Sequence, residues 1–273
     1  MDDELIKFKE VSKKFKKKVV LESINLTIPE GKITGIIGAS GEGKTTILKL
    51  LVGFYKPTSG DITYAKRAIL KDKDLKNIVG FSTEDGSFHD RLTVLENIMH
   101  FSELHHIPRK EAKKRAEEQM NLVGLSYARD TIAGNLSMGM KKRLDVAIAL
   151  MHNPQVLIMD EPTADLDPLL RDHMLRLIKK INNEGTTVIL TTQILGEMDK
   201  ICDKIAILYD KKIIVQGTPK EIKAKYKASD LDDVFDIIFS QREKAEVQTG
   251  DSLTQEQIDE IQTKIDEAMK REE

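Results

Sequence analysis

Residues 33–46 read ITGIIGASGEGKTT. The run ITGIIG is apolar and of strand type, while KTTILKLLVG, from Lys44, has the apolar spacing of a helix that stops at Gly53. Between strand and helix, Gly38-x-x-x-x-Gly43-Lys44-Thr45 fits the phosphate-binding P-loop pattern. The residue types follow from what a phosphate needs. Glycines at 38, 41 and 43 let the backbone wrap close around phosphate oxygens. The loop N–H groups and the helix start supply positive potential. Lys44 suits a bridge between β- and γ-phosphates, and the Thr45 hydroxyl suits Mg2+. Gly38, Ser40, Gly41, Gly43, Lys44, Thr45 and Thr46 are therefore the expected nucleotide-binding residues of the loop.

Outward from this loop the chain alternates strands and helices. LIKFKEV (5–11) and VVLESINLTI (19–28) alternate as strands, PEGK and KPTSG are turns, and DITY begins another strand. Residues 92–125 are highly charged and helical in period, with Pro108 in the first turn of the second helix. LSMGMKKRLDVAIALMHNP (136–154) reads as a helix ended by Asn153-Pro154. A buried strand, VLIMD (156–160), then a helix over 168–183, the strand TVILTT, the helix ILGEMDKICD and the strand KIAILY complete an alternation typical of a parallel sheet covered on both faces. Asp160 and Glu161 follow VLIM, where an acid faces the ligand crevice at the strand's C-terminal end. Asp160 is placed for Mg2+, and Glu161 to orient and deprotonate an attacking water.

KKIIVQGTP closes the core, and DDVFDIIF predicts a short amphipathic helix. QREKAEVQTGDS reads as a linker, and Ile258, Ile261, Ile265 and Met269 after it predict an amphipathic helix. From Gln241 onward five Lys/Arg face ten Asp/Glu, more than the whole net charge of −2. That balance offers no global attraction to nucleic acid. One cysteine, Cys202, rules out an intramolecular disulfide. The acidic start lacks a signal-peptide pattern, and no window approaches a membrane span. The expected location is cytoplasmic, with any membrane role exercised through a membrane partner.

LSMGMKKR, followed by DEPTADLD, resembles the ATP-binding cassette (ABC) family, and the likeness runs in order over residues 4–220. It implies an α/β P-loop NTPase fold: a RecA-like parallel sheet flanked by helices, an N-terminal antiparallel β subdomain, and a helical subdomain inserted at about 86–145. The ATP-binding domain would span 1–220, and a C-terminal extension 221–273. In the family two subunits pair head to tail, each ATP lying between one P-loop and the other's signature motif. Phe15 then matches the aromatic that stacks on adenine. Leu136 to Met140 match the signature LSGGQ, with Ser137 and Gly139 facing the partner's γ-phosphate and Met138 and Met140 replacing glycine and glutamine. The LSxGM form resembles type-2 exporters, which favours export. Asp167 matches the loop that crosses the dimer interface.

Two positions depart from the family pattern. VGFSTED (79–85) puts Glu84 where glutamine is common, which keeps oxygen ligands for Mg2+ and adds negative charge. Gln193 follows TVILTT at the position of the family's switch histidine. An amide still donates a hydrogen bond to the γ-phosphate but carries no positive charge. With Glu161 retained, weak to moderate ATP hydrolysis is expected, with Lys44, Glu161 and Gln193 at the reaction centre. The favoured reading is the motor subunit of a transporter, paired with a second cassette and a transmembrane permease on a separate chain. The other readings are a slow regulatory subunit that ATP dimerises and, less well matched, a soluble repair or translation ATPase.

Overall fold

The computed structural model describes residues 4–65, 67, 68 and 75–238. Its elements in order are β1 (Glu4–Phe15), β2 (Lys18–Pro29), β3 (Ile33–Ile37), α1 (Lys44–Leu51), β4 (Ser59–Tyr64), β5 (Arg67–Ala68), α2 (Leu75–Ile78) and β6 (Val79–Ser82). They continue with α3 (Val94–Leu104), α4 (Arg109–Leu122), α5 (Met138–Ala149), β7 (Val156–Met159), α6 (Pro168–Asn183) and β8 (Thr187–Thr192). The last are α7 (Leu195–Ile201), β9 (Lys204–Tyr209), β10 (Lys212–Gly217) and α8 (Pro219–Lys225).

The first sheet is antiparallel, in the order β2-β1-β4-β5. The second has the order β10-β9-β3-β8-β7-β6. Its strands β9, β3, β8, β7 and β6 pair in parallel, and β10 pairs antiparallel with β9 at the edge. The parallel arrangement explains the composition of the central strands. Every residue of β3, β7 and β8 is buried, so these strands are continuous runs rather than alternations. The antiparallel sheet buries Ile6, Phe8, Leu21, Ile24, Leu26 and Ile28 in the same core as Ile47, Leu48 and Leu51 of α1. Helix α1 is thereby fixed between the two sheets, and the loop before it is fixed with it.

Helices α3, α4 and α5 pack against one another. Helix α3 begins with a capping box: the Thr93 hydroxyl accepts from Glu96 N–H, and the Glu96 carboxylate accepts from Thr93 N–H. Helix α5 is shorter than its apolar pattern suggests. Ser137 caps it by accepting from Met140 N–H at 3.3 Å, and Asn153 already stands in the left-handed region at φ 52° before Pro154.

Two compact units divide the chain at Pro219 and Lys220. In the second, residues 231–238 are helical, with Leu231 and Val234 buried. The linker and the amphipathic helix expected beyond residue 240 lie outside the described residues. Among the described residues no helix is long and apolar enough to cross a membrane.

Candidate nucleotide site

Four neighbouring parallel strands, β3, β8, β7 and β6, run to the same edge of the sheet. Ile37 is level with Thr192, Met159 with Leu190, and Ser82 with Met159. Each strand therefore releases its following residues into one crevice, where ligands of open α/β sheets bind. Those residues are Gly38 to Lys44, Gln193, Asp160-Glu161 and Thr83-Glu84.

The loop after β3 is tight for identifiable reasons. A Cβ on Gly38 would stand 2.7 Å from the Leu208 carbonyl oxygen, and Gly43 holds φ 111°, a conformation side chains resist. Ser40 is exposed at the loop tip, while Thr45 and Thr46 are half-buried on the first turn of α1. The Lys44 side chain folds back into the loop. Its Nζ donates to the carbonyls of Gly38 (2.8 Å) and Ala39 (3.2 Å) and lies 3.3 Å from Glu161 Oε1. Lys44 and Glu161 are each about 6 % exposed, so each charge depends on the other. A buried charge that loses its partner costs about 3–5 kcal/mol.

Glu161 is the centre of the arrangement. Its backbone takes a left-handed φ of 48°, a conformation costing a side-chain residue about 1–3 kcal/mol. Thr191 of β8 holds it there. The Thr191 hydroxyl accepts from Glu161 N–H at 3.0 Å and donates to Asp160 Oδ1 at 2.6 Å. Gln193 Nε2 donates to Glu161 Oε1 at 3.4 Å, on the same oxygen that faces Lys44. Three of the sequence-predicted residues, Lys44, Glu161 and Gln193, thus meet at one carboxylate oxygen.

The other candidates make no described bond to that oxygen. Phe15 is 38 % exposed, its ring edge-on to Tyr55 with centroids 4.9 Å apart, and Lys13 Nζ stands 4.8 Å from its centroid. Glu84 is exposed. Ser137 is exposed at the head of α5, while Gly139 is buried in its first turn against Leu170. Asp167 caps α6 by accepting from the N–H groups of Leu169 and Leu170 at 3.0 Å. Among the described contacts none joins Ser137, Gly139 or Asp167 to Lys44.

The Mg2+ candidates Thr45, Glu84 and Asp160 offer only oxygen, the donor type a hard cation takes. No cluster of three or more His, Cys, Asp or Glu exists among the described residues.

Some supporting residues escape a motif reading. Thr191 looks like one more β-branched residue in a strand, and Tyr55 like a turn aromatic. Thr163 Oγ1 donates to Glu197 Oε2 at 2.6 Å, and burial raises the Glu197 carboxyl above its usual range. Lys142 and Asp145 are charges inside a helix's buried face. That is a detectable signal, because buried charges need partners.

The sequence profile of the family described as "ABC transporter" matches residues 21–164. Over 220 residues the chain is 34% identical to linearmycin resistance ATP-binding protein LnrL of Bacillus subtilis (strain 168), covering 80% of this chain and 70% of that protein. It is 39% identical over 223 residues to methionine import ATP-binding protein MetN 2 of Enterococcus faecalis (strain ATCC 700802 / V583), covering 80% of this chain and 65% of that protein. Its fold is similar to the dimeric post-hydrolysis state of the ATP-binding cassette MJ0796 bound to ADP and Pi. That match has TM-score 0.70 and 28% identity, and it covers 78% of this chain and 98% of that one.

Proposed function

Because the chain belongs to the ABC transporter family, whose cassettes bind and hydrolyse ATP, we propose that it is the motor subunit of a transporter whose membrane-spanning permease is a separate chain. The observation that carries this reading is the meeting of Lys44, Glu161 and Gln193 at the edge of the sheet. Lys44 is poised to exchange its loop carbonyls for phosphate oxygens. That exchange frees Glu161 to accept a proton from the attacking water, and Gln193 holds the Glu161 carboxylate through its amide. Thr45, Asp160 and Glu84 would hold Mg2+, whose chemistry is to neutralise charge on the phosphates. Phe15, 38 % exposed, would stack on the adenine.

In this reading Ser137, Gly139 and Asp167 serve the opposite subunit of a head-to-tail pair. The dimeric state of the MJ0796 cassette, to which the fold is similar, supports that assignment. The ATP-binding domain is 1–220, its helical part at about 86–145 faces the permease, and 221–273 is an extension. The chain then sits peripherally on the cytoplasmic face of the membrane and takes no nucleic acid. Export is the favoured direction. The relatives include both a resistance protein and an importer, so the direction rests on the LSMGM form of the signature.

A second reading has its own observation. The amide at Gln193 replaces an imidazole and reaches Glu161 at a long 3.4 Å. A slow subunit that ATP dimerises fits that feature. Measuring ATP turnover and dimer formation for the wild-type chain and Glu161→Gln separates the two. The motor reading expects turnover that Glu161→Gln lowers about 10²- to 10⁴-fold, with ATP-induced dimers retained. Background turnover in the wild type, with clear ATP-dependent dimers, selects the second.

A further inference from the structure

Helix α5 does more than present Ser137 and Gly139 at its first turn. One turn further along it buries two opposite charges, Lys142 at 7 % exposure and Asp145 at 1 %. The two do not pair with each other. Both grip main chain of the segment that carries Glu84. Lys142 Nζ donates to the Glu84 carbonyl at 2.6 Å and to the Glu161 carbonyl at 3.4 Å. The Asp145 carboxylate accepts from the N–H groups of Thr83 at 2.9 Å and Ser87 at 2.5 Å.

The chemistry makes this more than packing. A buried ammonium and a buried carboxylate are costly unless their bonds are satisfied, and apolar side chains of similar volume fill such space without that cost. Here Lys142 is satisfied by the carbonyls of Glu84 and Glu161, and Asp145 by the N–H groups of Thr83 and Ser87 together with the hydroxyls of Ser82 and Ser87. Bonds to main-chain donors and acceptors fix where the loop backbone lies. Lys142 is the only one of the two to touch both segments: the loop bearing a Mg2+ candidate and the residue proposed as general base.

We propose that Lys142 is a positioning residue for ATP hydrolysis. It ties the Glu84 loop to the Glu161 backbone, so that seating the head of α5 on the opposite subunit's nucleotide adjusts this subunit's own reaction centre. The assignment rests on the functional reading above. It adds a residue whose carbonyl contacts, rather than any contact with nucleotide, determine turnover.

The test compares wild type, Lys142→Met and Lys142→Arg in the full chain. Lys142→Met keeps an apolar stem and removes the donors, while Lys142→Arg restores them. Lys142→Met is expected to accelerate hydrogen exchange in peptides spanning 82–88 and 160–164. It should also lower kcat about 10- to 100-fold, the scale of a reacting group displaced by less than 1 Å to about 1 Å. The Mg2+ concentration for half-maximal turnover should rise, while the Kd of a fluorescent ATP analogue stays within about twofold, as expected of a residue remote from the nucleotide. Lys142→Arg should recover most of each effect. Unchanged exchange in both peptides overturns the proposal, because the tie is then absent. Faster exchange with kcat and Mg2+ dependence unchanged also overturns it, because the tie is then only structural. So does a kcat loss that Arg fails to recover while Tm falls in parallel. If the wild-type chain has no turnover and Glu161→Gln changes nothing, the motor reading has failed. The exchange comparison still decides whether Lys142 holds the two segments together.

Discussion

At the scale of single residues, Gln193 stands where the resemblance to the family leads one to expect a histidine. Its amide donates to Glu161 Oε1, the oxygen Lys44 also faces. Removing a full electrostatic donor from a reaction centre costs about 10²–10³ in rate, and a longer, neutral contact costs less. Gln193→Ala should therefore lower turnover by about tenfold, and Gln193→His, which can carry charge, should raise it. Steady-state phosphate release measures both, and equal rates in all three chains would remove position 193 from the reaction. His152 makes a different point, about stability. Its Nε2 lies 3.1 Å from the Val79 carbonyl, its Nδ1 is buried without a partner, and its ring stacks on His105 at 4.0 Å. Burial first, and then repulsion from His105, lowers its pKa from 6.5 to about 4. The folded chain thus binds this proton less readily than the unfolded chain. The stability from neutral His152 is complete above about pH 6.5 and is lost as pH falls toward about 4. Melting at pH 7.5 and pH 5 should show a smaller loss of Tm in His152→Gln than in wild type.

At the scale of elements, the strands were the easiest to read and their partners the hardest. β-branched runs such as TVILTT announce buried strands, and the helix expected over 168–183 is α6, which Asp167 caps and Pro168 begins. Strand β6 was not, since VGFS is short and lacks alternation; it exists because β7 supplies its hydrogen bonds. The antiparallel direction of β10 was likewise invisible to periodicity, which reports burial and not direction. Helix α3 depends on local signals, and its capping box lies on the exposed rim of the helical region. Thr93→Ala should lower unfolding free energy by about 1 kcal/mol, read from denaturant midpoints at unchanged m-value. No change there would mean that tertiary packing alone holds the helix start.

At the scale of the whole molecule, the proposed function makes the site complete only in a pair of chains. Gly139 sits in the first turn of α5 and Lys44 in the first turn of α1, and the head-to-tail proposal brings the two together only across two chains. Lys44→Ala and Gly139→Asp should each abolish most turnover alone. Mixed in equal amounts, they form some dimers in which one site carries both lesions and the other carries none. The mixture should therefore regain activity that neither variant shows. Absence of recovery, with mixed dimers demonstrated, would mean that this chain's signature does not act on a copy of itself.

Sequence by itself determined the residue types that phosphate and Mg2+ demand, because a P-loop needs glycines, a lysine and a hydroxyl at set spacing. It also determined the strand–helix alternation, which hydrophobic period reports directly. Only the tertiary structure decided which distant residues meet. Thr191 holds Asp160 and Glu161, Lys142 and Asp145 hold the Glu84 loop, and Tyr55 backs Phe15. Each of these is a contact between segments far apart in the chain. A local pattern carries no information about such pairs, because strand order and register bring them together.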